Sequence, residues 1–211
     1  MNILELFSGT ESFSKVARDF GHSTYTVDND PKFASDWCGD IMDFEVGDMV
    51  NQFDFVWASP PCQTFTVLRI GKNWDMTPEG PVPNCDESRA GVARVVKTLE
   101  ILADLGWPPF VIENPRAMMR HVKELQSFDR HTVTYCQYGE RRMKSTDLWT
   151  NIKGLELKPP CKYGAECHER SPRGSRTTGT ESLRNSAERS KVPEQLCVSI
   201  LVQVMGMADA S

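Results

Sequence analysis

The sequence predicts an α/β fold with a doubly wound, mostly parallel sheet. Three observations carry that prediction. Short apolar runs at residues 2–7, 23–27, 53–58 and 110–112 have the length of strands and end in polar or turn-forming residues. Between them lie stretches whose apolar residues recur at helical spacing, and strands alternating with helices give parallel sheets. Asp28, Asp40, Cys62 and Glu113, all able to do chemistry, follow strands or strand-like runs. Open Rossmann-like sheets hold ligands at the carboxyl ends of their strands.

Residues 2–7 read as the first strand and Ser8-Gly9-Thr10 as a tight turn. Ser12 caps a helix to about Phe20, with Phe13, Val16, Ala17 and Phe20 on one face. A second strand over 23–27 ends at Asp28, and a short helix over 31–37 leads to Gly39-Asp40-Ile41. The apolar strand before Ser59-Pro60-Pro61-Cys62-Gln63 comes next, and two successive prolines stiffen the loop that carries the thiol. Residues 64–88, with Gly71, Gly80, Pro78, Pro81 and Pro83, predict a long loop. Val92, Val95, Val96, Leu99 and Leu102 mark a helix over 90–105 that stops at Gly106. Phe110-Val111-Ile112 is a buried strand delivering Glu113-Asn114-Pro115. A helix over 116–126, strands over 131–136 and 145–149, an irregular stretch over 158–191 and a final helix over 192–207 complete the chain.

The 211 residues fit one domain with a small appendage, divided here as 1–150, 151–191 and 192–211. No apolar run approaches the roughly 18 residues of a membrane helix, and no basic stretch followed by an apolar one opens the chain, so it reads as cytoplasmic. Seven irregularly spaced cysteines predict reduced thiols. The net charge of −5 is unevenly spread. Residues 1–60 carry three basic and eleven acidic side chains, whereas 116–144 carry seven and three, and 170–191 six and two. An acidic half and a basic half suggest two ligands of different character, the second with a phosphate backbone.

The first strand-turn-helix has the shape of a cofactor loop, with Gly9 admitting a close backbone approach and the helix offering free amides. It lacks the GxGxxG pattern. Asp28 is placed to accept from ribose hydroxyls and Asp40 from an adenine amino group. Leu6-Phe7-Ser8-Gly9, Asp28, Gly39-Asp40, Ser59-Pro60-Pro61-Cys62-Gln63, Glu113-Asn114 and Tyr138-Gly139 with Arg142-Met143-Lys144 follow in order. Together they resemble the DNA (cytosine-5) methyltransferase family, and most of all its short phage-type members.

The resemblance implies a class I methyltransferase fold, S-adenosyl-L-methionine as cofactor and double-stranded DNA as partner. It implies that Phe7, Ser8, Gly9, Thr10, Asp28, Asp40, Ile41 and Pro60 bind the cofactor. Cys62 is then the nucleophile that adds to C6 of a flipped cytosine, so that C5 can take the methyl group. Glu113 would share a proton with N3, Asn114 would hold the loop, and Arg142 and Lys144 would orient the nucleophile and the base. Gln63, Arg69, Asn114, Arg170, Arg173 and Arg176 are the nucleic-acid candidates. In the long loop, Arg69, Lys72 and Trp74 are candidates for phosphate contact or for filling the vacated base stack.

Arg141 competes with Arg142, lysine stands where the family more often has a second arginine, and Pro115 replaces a commoner valine. The family's sizeable target-recognition region is reduced to about residues 151–191, rich in phosphate-binding arginines but poor in means of base readout. Short or relaxed sequence specificity is expected. Cys161-x5-Cys167-His168 invites a zinc reading, but three ligands without a CxxC leave the metal open. Cys38, Cys136 and Cys197 are expected to be core thiols, and His22, His121 and His131 structural. Methylation of transfer RNA, modification of a free pyrimidine nucleotide and a catalytically silent DNA-binding protein stand as alternatives.

Overall fold

The computed structural model describes residues 1–170, 183 and 185–208. The strands are β1 (Asn2–Leu6), β2 (Ser23–Asp28), β3 (Trp37–Cys38), β4 (Phe55–Ala58), β5 (Trp74–Thr77), β6 (Gly80–Pro83), β7 (Phe110–Pro115), β8 (Asp129–Thr134) and β9 (Ser145–Thr150). The α-helices are α1 (Ser12–Asp19), α2 (Asp86–Asp104), α3 (Ser186–Ser190) and α4 (Glu194–Ala208). Seven strands form one sheet in the order β3-β2-β1-β4-β7-β9-β8. The first five pair in parallel, while β9 and β8 add an antiparallel hairpin at the far edge. This is the Rossmann-like, mostly parallel sheet that the alternation predicts. The chain winds outward from β1 to β3 and then returns to the other side of β1, so the winding reverses between β1 and β4. Ligands of open α/β sheets bind at such a reversal.

Strand side chains alternate between two cores, as a period of two requires. Ile3, Phe55, Trp57, Val111 and Leu148 face α1 and α4, where Phe13, Val16, Ala17, Leu196, Ile200, Leu201 and Val204 meet them. Phe13 stacks on Trp57 with ring centroids 4.9 Å apart. Leu4, Leu6, Val56, Ala58, Phe110 and Ile112 point the other way, against Val95, Leu99 and Leu102 of α2 and Leu105 just beyond it. Both faces are covered, which is why β4 reads as an unbroken apolar run.

Five local expectations change. The short helix expected over 31–37 is only a 3₁₀ turn at Pro31–Phe33, and Trp37 and Cys38 form the edge strand β3. The helix expected over 116–126 is two 3₁₀ segments, Met118–His121 and Lys123–Ser127. Val122 between them is extended at φ −65° and ψ 119° and interrupts the helical ladder, while Met118, Met119, Val122 and Leu125 still reach the core. Tertiary burial here is satisfied without α geometry. The long loop over 64–88 is largely structured, with a 3₁₀ turn at Val67–Arg69 and the hairpin of β5 and β6. Its Trp74 is not available to a base stack: it is 1% exposed, packs on Phe65 and donates from Nε1 to the Thr64 carbonyl at 2.7 Å. Cys38 is exposed because β3 is a two-residue edge strand, whereas Cys197 is buried on the inner face of α4. No helix among the described residues is long and apolar enough to cross a membrane.

Candidate active site

Four loops at the carboxyl ends of β1, β2, β4 and β7, together with Lys144 and residues 187–192, meet around a cavity of about 350 Å³. The β1 loop turns sharply because Phe7 and Gly9 both adopt positive φ, 57° and 47°. For Phe7 this is a strained conformation, and such strain gathers at ligand sites. Asp28 holds the turn: its Oδ2 accepts the Gly9 amide at 2.8 Å and its Oδ1 the Asp30 amide at 2.9 Å. Below the loop, Glu5 turns inward and accepts the Phe13 and Ser14 amides at the start of α1, at 3.3 and 2.8 Å. Burial pushes this carboxyl up to about 7, against the pull of those amides.

The β4 loop is anchored on both sides. The Ser59 amide donates to the Leu6 carbonyl at 3.1 Å, and Asn114 Nδ2 donates to the Pro60 carbonyl at 2.7 Å. Cys62 is half-buried and faces the cavity. Burial raises its thiol above the ordinary range, and the neighbouring Glu113 carboxylate raises it further, while Lys144 and Arg189 act in the opposite direction. The resting side chain is therefore a neutral thiol, held between one anion and two cations.

Glu113 extends from β7 and is 4% exposed. Its Oε1 accepts from the hydroxyl of Tyr135 at 2.8 Å. Lys144, also nearly buried, lies with Nζ 4.6 Å from the Tyr135 ring centroid and donates to the Arg189 carbonyl at 3.1 Å. A thiol, a carboxylate and an ammonium thus share one recess, a set suited to nucleophilic addition with proton transfer.

Of the residues expected from the sequence, Phe7, Ser8, Gly9, Thr10, Asp28, Pro60, Cys62, Gln63, Glu113 and Lys144 line this cavity. Asp40 and Ile41 border a smaller adjoining hollow with Phe7, Asp28, Pro61 and Arg94. Asp40 also caps the turn Ile41–Asp43, accepting the Met42 amide at 3.1 Å. Asn114 is a buried support rather than part of the wall. Arg142 is half-buried beside Met143 and does not line the cavity, and Arg69 and Arg170 are exposed away from the wall. Arg173 and Arg176 lie outside the described residues. Cys161, Cys167 and His168 come together elsewhere, with Cys136 as a fourth member.

Sequence reading assigned no role to Tyr135, and it read Arg189 only as a phosphate contact. Tyr135 sits one residue past β8 and gives no motif; its role exists only because β8 and β7 share a sheet with β9 between them. Arg189 belongs to an irregular arginine-rich stretch in which nothing local marks the member that returns to the cavity.

No family profile matches the chain. It is similar to the "Probable DNA (cytosine-5)-methyltransferase" of Frog virus 3 (isolate Goorha), with 34% identity over 187 residues covering 83% of each chain. Among solved structures it is similar to the S. pombe Dnmt2 methyltransferase, with 16% identity, a TM-score of 0.47 and 74% of this chain covered. A Spodoptera frugiperda DNMT2 mutant gives 16% identity, a TM-score of 0.44 and 76% coverage. The chain spans about half the length of these two structures, 51% and 53%. On the extent and identity of the viral match, the chain belongs to the DNA (cytosine-5)-methyltransferase family.

Proposed function

We propose that the protein transfers a methyl group from S-adenosylmethionine to C5 of a cytosine in DNA, through addition of Cys62 to C6 of a base flipped into the cavity. The observation that carries this reading is the meeting of Cys62, Glu113 and Lys144 in one cavity that the Phe7–Thr10 loop also lines. DNA is taken as the substrate on the viral relative's description.

The cavity fits the cofactor on its own chemistry. Ser8 Oγ is buried in the wall without a hydrogen-bond partner, and Asp28 and Asp40 offer carboxylates to hydroxyl and amino groups. Ser8, Thr10 and Asp28 would hold the amino acid and ribose parts, with Asp40, Ile41 and Arg94 beside the adenine. When bound, the cofactor supplies an electrophilic methyl group.

The chain's own residues do the rest. Glu113, near enough for its charge to raise the Cys62 thiol, takes the thiol proton as Sγ bonds to C6 and passes it to N3 of the cytosine. The electron pair displaced from C4=N3 takes the proton at N3, the C5–C6 double bond shifts to C4–C5, and the enamine so formed attacks through C5. Tyr135 keeps Glu113 oriented through Oε1 and leaves Oε2 for the base. Lys144 and Arg189 favour the thiolate as it forms. Loss of the C5 proton to solvent, expulsion of the Cys62 thiolate and return of the N3 proton to it through Glu113 then restore the aromatic ring. Release of Cys62 regenerates the site.

Trapping with DNA containing 5-fluorocytosine tests the reading, since C5 then carries no proton to remove, fluorine cannot leave as a cation and the adduct persists. Wild type should form a covalent complex that needs cofactor and disappears in Cys62→Ala. An adduct retained in Cys62→Ala overturns the assignment of the nucleophile. Methyl transfer to transfer RNA but not to duplex DNA overturns the substrate.

A further inference from the structure

Residues 158–170 have few apolar side chains with which to hold themselves in place. Leu155 and Leu157 still pack on the α1/α4 side of the sheet, but residues 158–170 contain no helix or strand and put none of their side chains into either core. Tyr163, their largest apolar side chain, is 53% exposed. A segment with so little burial needs a cross-link of another kind to keep one conformation. This segment nevertheless keeps a defined path against the turn Tyr135–Tyr138. The Lys158 amide donates to the Tyr138 hydroxyl at 2.8 Å, and the Cys161 amide to Thr134 Oγ1 at 2.9 Å.

Those contacts bring four soft donors to one point. Cys136, Cys161, Cys167 and His168 place their ligand atoms within 4.8 Å of one another, and they are the group of metal-ligating side chains found among the described residues. His168 Nδ1 lies 3.6 Å from the Sγ atoms of both Cys161 and Cys167, and Cys136 Sγ lies 3.8 Å from that of Cys167. A tetrahedral zinc ion with ordinary bond lengths sets S···N at about 3.6 Å and S···S at about 3.8 Å. Cys136 and Cys161 are closer, at 3.1 Å, yet well beyond the roughly 2.05 Å of a disulfide. His168 Nε2 is buried without a partner, so no hydrogen bond on that side accounts for the ring's placement. Gln137 Nε2 donates to Cys167 Sγ at 3.2 Å, the kind of outer hydrogen bond that stabilises a bound thiolate.

We propose that Cys136, Cys161, Cys167 and His168 bind one zinc ion, through three thiolates and His168 Nδ1, and that the ion fastens residues 158–168 to the turn Tyr135–Tyr138. Three thiolates with one imidazole suit zinc by softness and by tetrahedral geometry. Binding releases the three thiol protons to solvent and closes the site with no open position, so the role is structural. The sequence hides the site because its fourth ligand stands 25 residues before Cys161, at the end of a strand-like run that reads as core. The same turn carries Tyr135, so the metal also steadies the group that orients Glu113.

The test uses the full chain, purified under reducing conditions without chelator, and measures metal by mass spectrometry. One zinc per chain is expected, also in Cys85→Ser as a control outside the cluster. Replacement by cobalt(II) should give the near-ultraviolet thiolate charge-transfer band and the intense red bands of a tetrahedral site. Because Cys136→Ser sits in a buried place and could unfold the chain, Cys167→Ser at the exposed ligand is the decisive variant. It should weaken zinc binding by more than the about 10–100-fold typical of outer-shell changes and leave cooperative unfolding in place. A chain that stays metal-free after incubation with zinc overturns the proposal. So do a cobalt complex without thiolate bands, and a Cys136–Cys161 disulfide in the reduced protein.

Discussion

Cys62 is tuned by neighbours of opposite sign, and that makes its ionisation a direct readout of the recess. Burial and Glu113 hold the thiol above its ordinary range, while Lys144 and Arg189 pull it down. Glu113→Gln removes an anion, so Cys62 should react faster with iodoacetamide at pH 8 even as methyl transfer is lost. Lys144→Met removes a cation and should slow the same reaction. Opposite signs on alkylation with the same sign on methyl transfer mark both residues as part of one site. If both variants alkylate at the wild-type rate, Glu113 and Lys144 do not act on Cys62. Removing the general acid–base partner should lower turnover by about 10²–10⁴-fold. Cys62 and Glu113 were legible in the sequence at the ends of apolar runs, and Lys144 through its motif with Arg142, but the sign of the thiol shift was not. It depends on how deeply the β4 loop sinks beside β7.

At the scale of elements, two joints carry the site. Gly91 in α2 lies where a Cβ would come within 2.3 Å of Thr64 Oγ1 and 3.3 Å of Thr64 Cβ, two residues past the nucleophile. Alanine there should gain roughly 1 kcal/mol of helix propensity, yet it must push the Cys62 loop away from α2. Gly91→Ala is therefore expected to cut turnover at least tenfold without loss of helix content by circular dichroism. Unchanged turnover would mean that Thr64 simply rotates. The second joint ties the edge hairpin to the turn after β7. Arg120 forks onto the fully buried Asp147, with Nη2 to Oδ1 at 2.6 Å, and Thr132 Oγ1 donates to the same oxygen at 2.7 Å. Arg120 is 20% exposed, so Asp147→Ala should cost about 3 kcal/mol, the lower end for breaking a buried pair. Urea unfolding should show it as a lower midpoint at unchanged slope.

For the whole molecule, Glu5 links stability to pH. Its folded value of about 7 lies above the ordinary 4.5, so between these limits the folded chain holds a proton that the unfolded chain has released. Stability must therefore fall as pH rises from 4.5 to about 7, by about 1.4 kcal/mol per unit and about 3 kcal/mol in all. Glu5→Gln should flatten this slope, as measured by urea midpoints across that range, whatever it does to absolute stability. A slope identical to wild type would place the raised group elsewhere. The carboxylate also borders the cavity, so a cationic ligand bound there should offset part of the penalty above pH 7.

The sequence by itself determined the sheet class, six of the seven strands of its main sheet and the stations of Cys62 and Glu113. Those follow from local facts: short apolar runs, helical spacing between them, and two prolines before a thiol. Tertiary structure alone decided what stands beside them. Tyr135 reaches Glu113 because antiparallel pairing inserts β9 between β7 and β8, and no local pattern encodes which strands become neighbours. Trp74 went to the core rather than to a base stack because burying its ring and satisfying its N–H on Thr64 outweighs exposure in a loop. Arg189 and Cys136 joined their partners across 45 and 25 residues of chain. Such pairings are set by packing of the whole sheet, and a residue's own neighbours in sequence carry no trace of them.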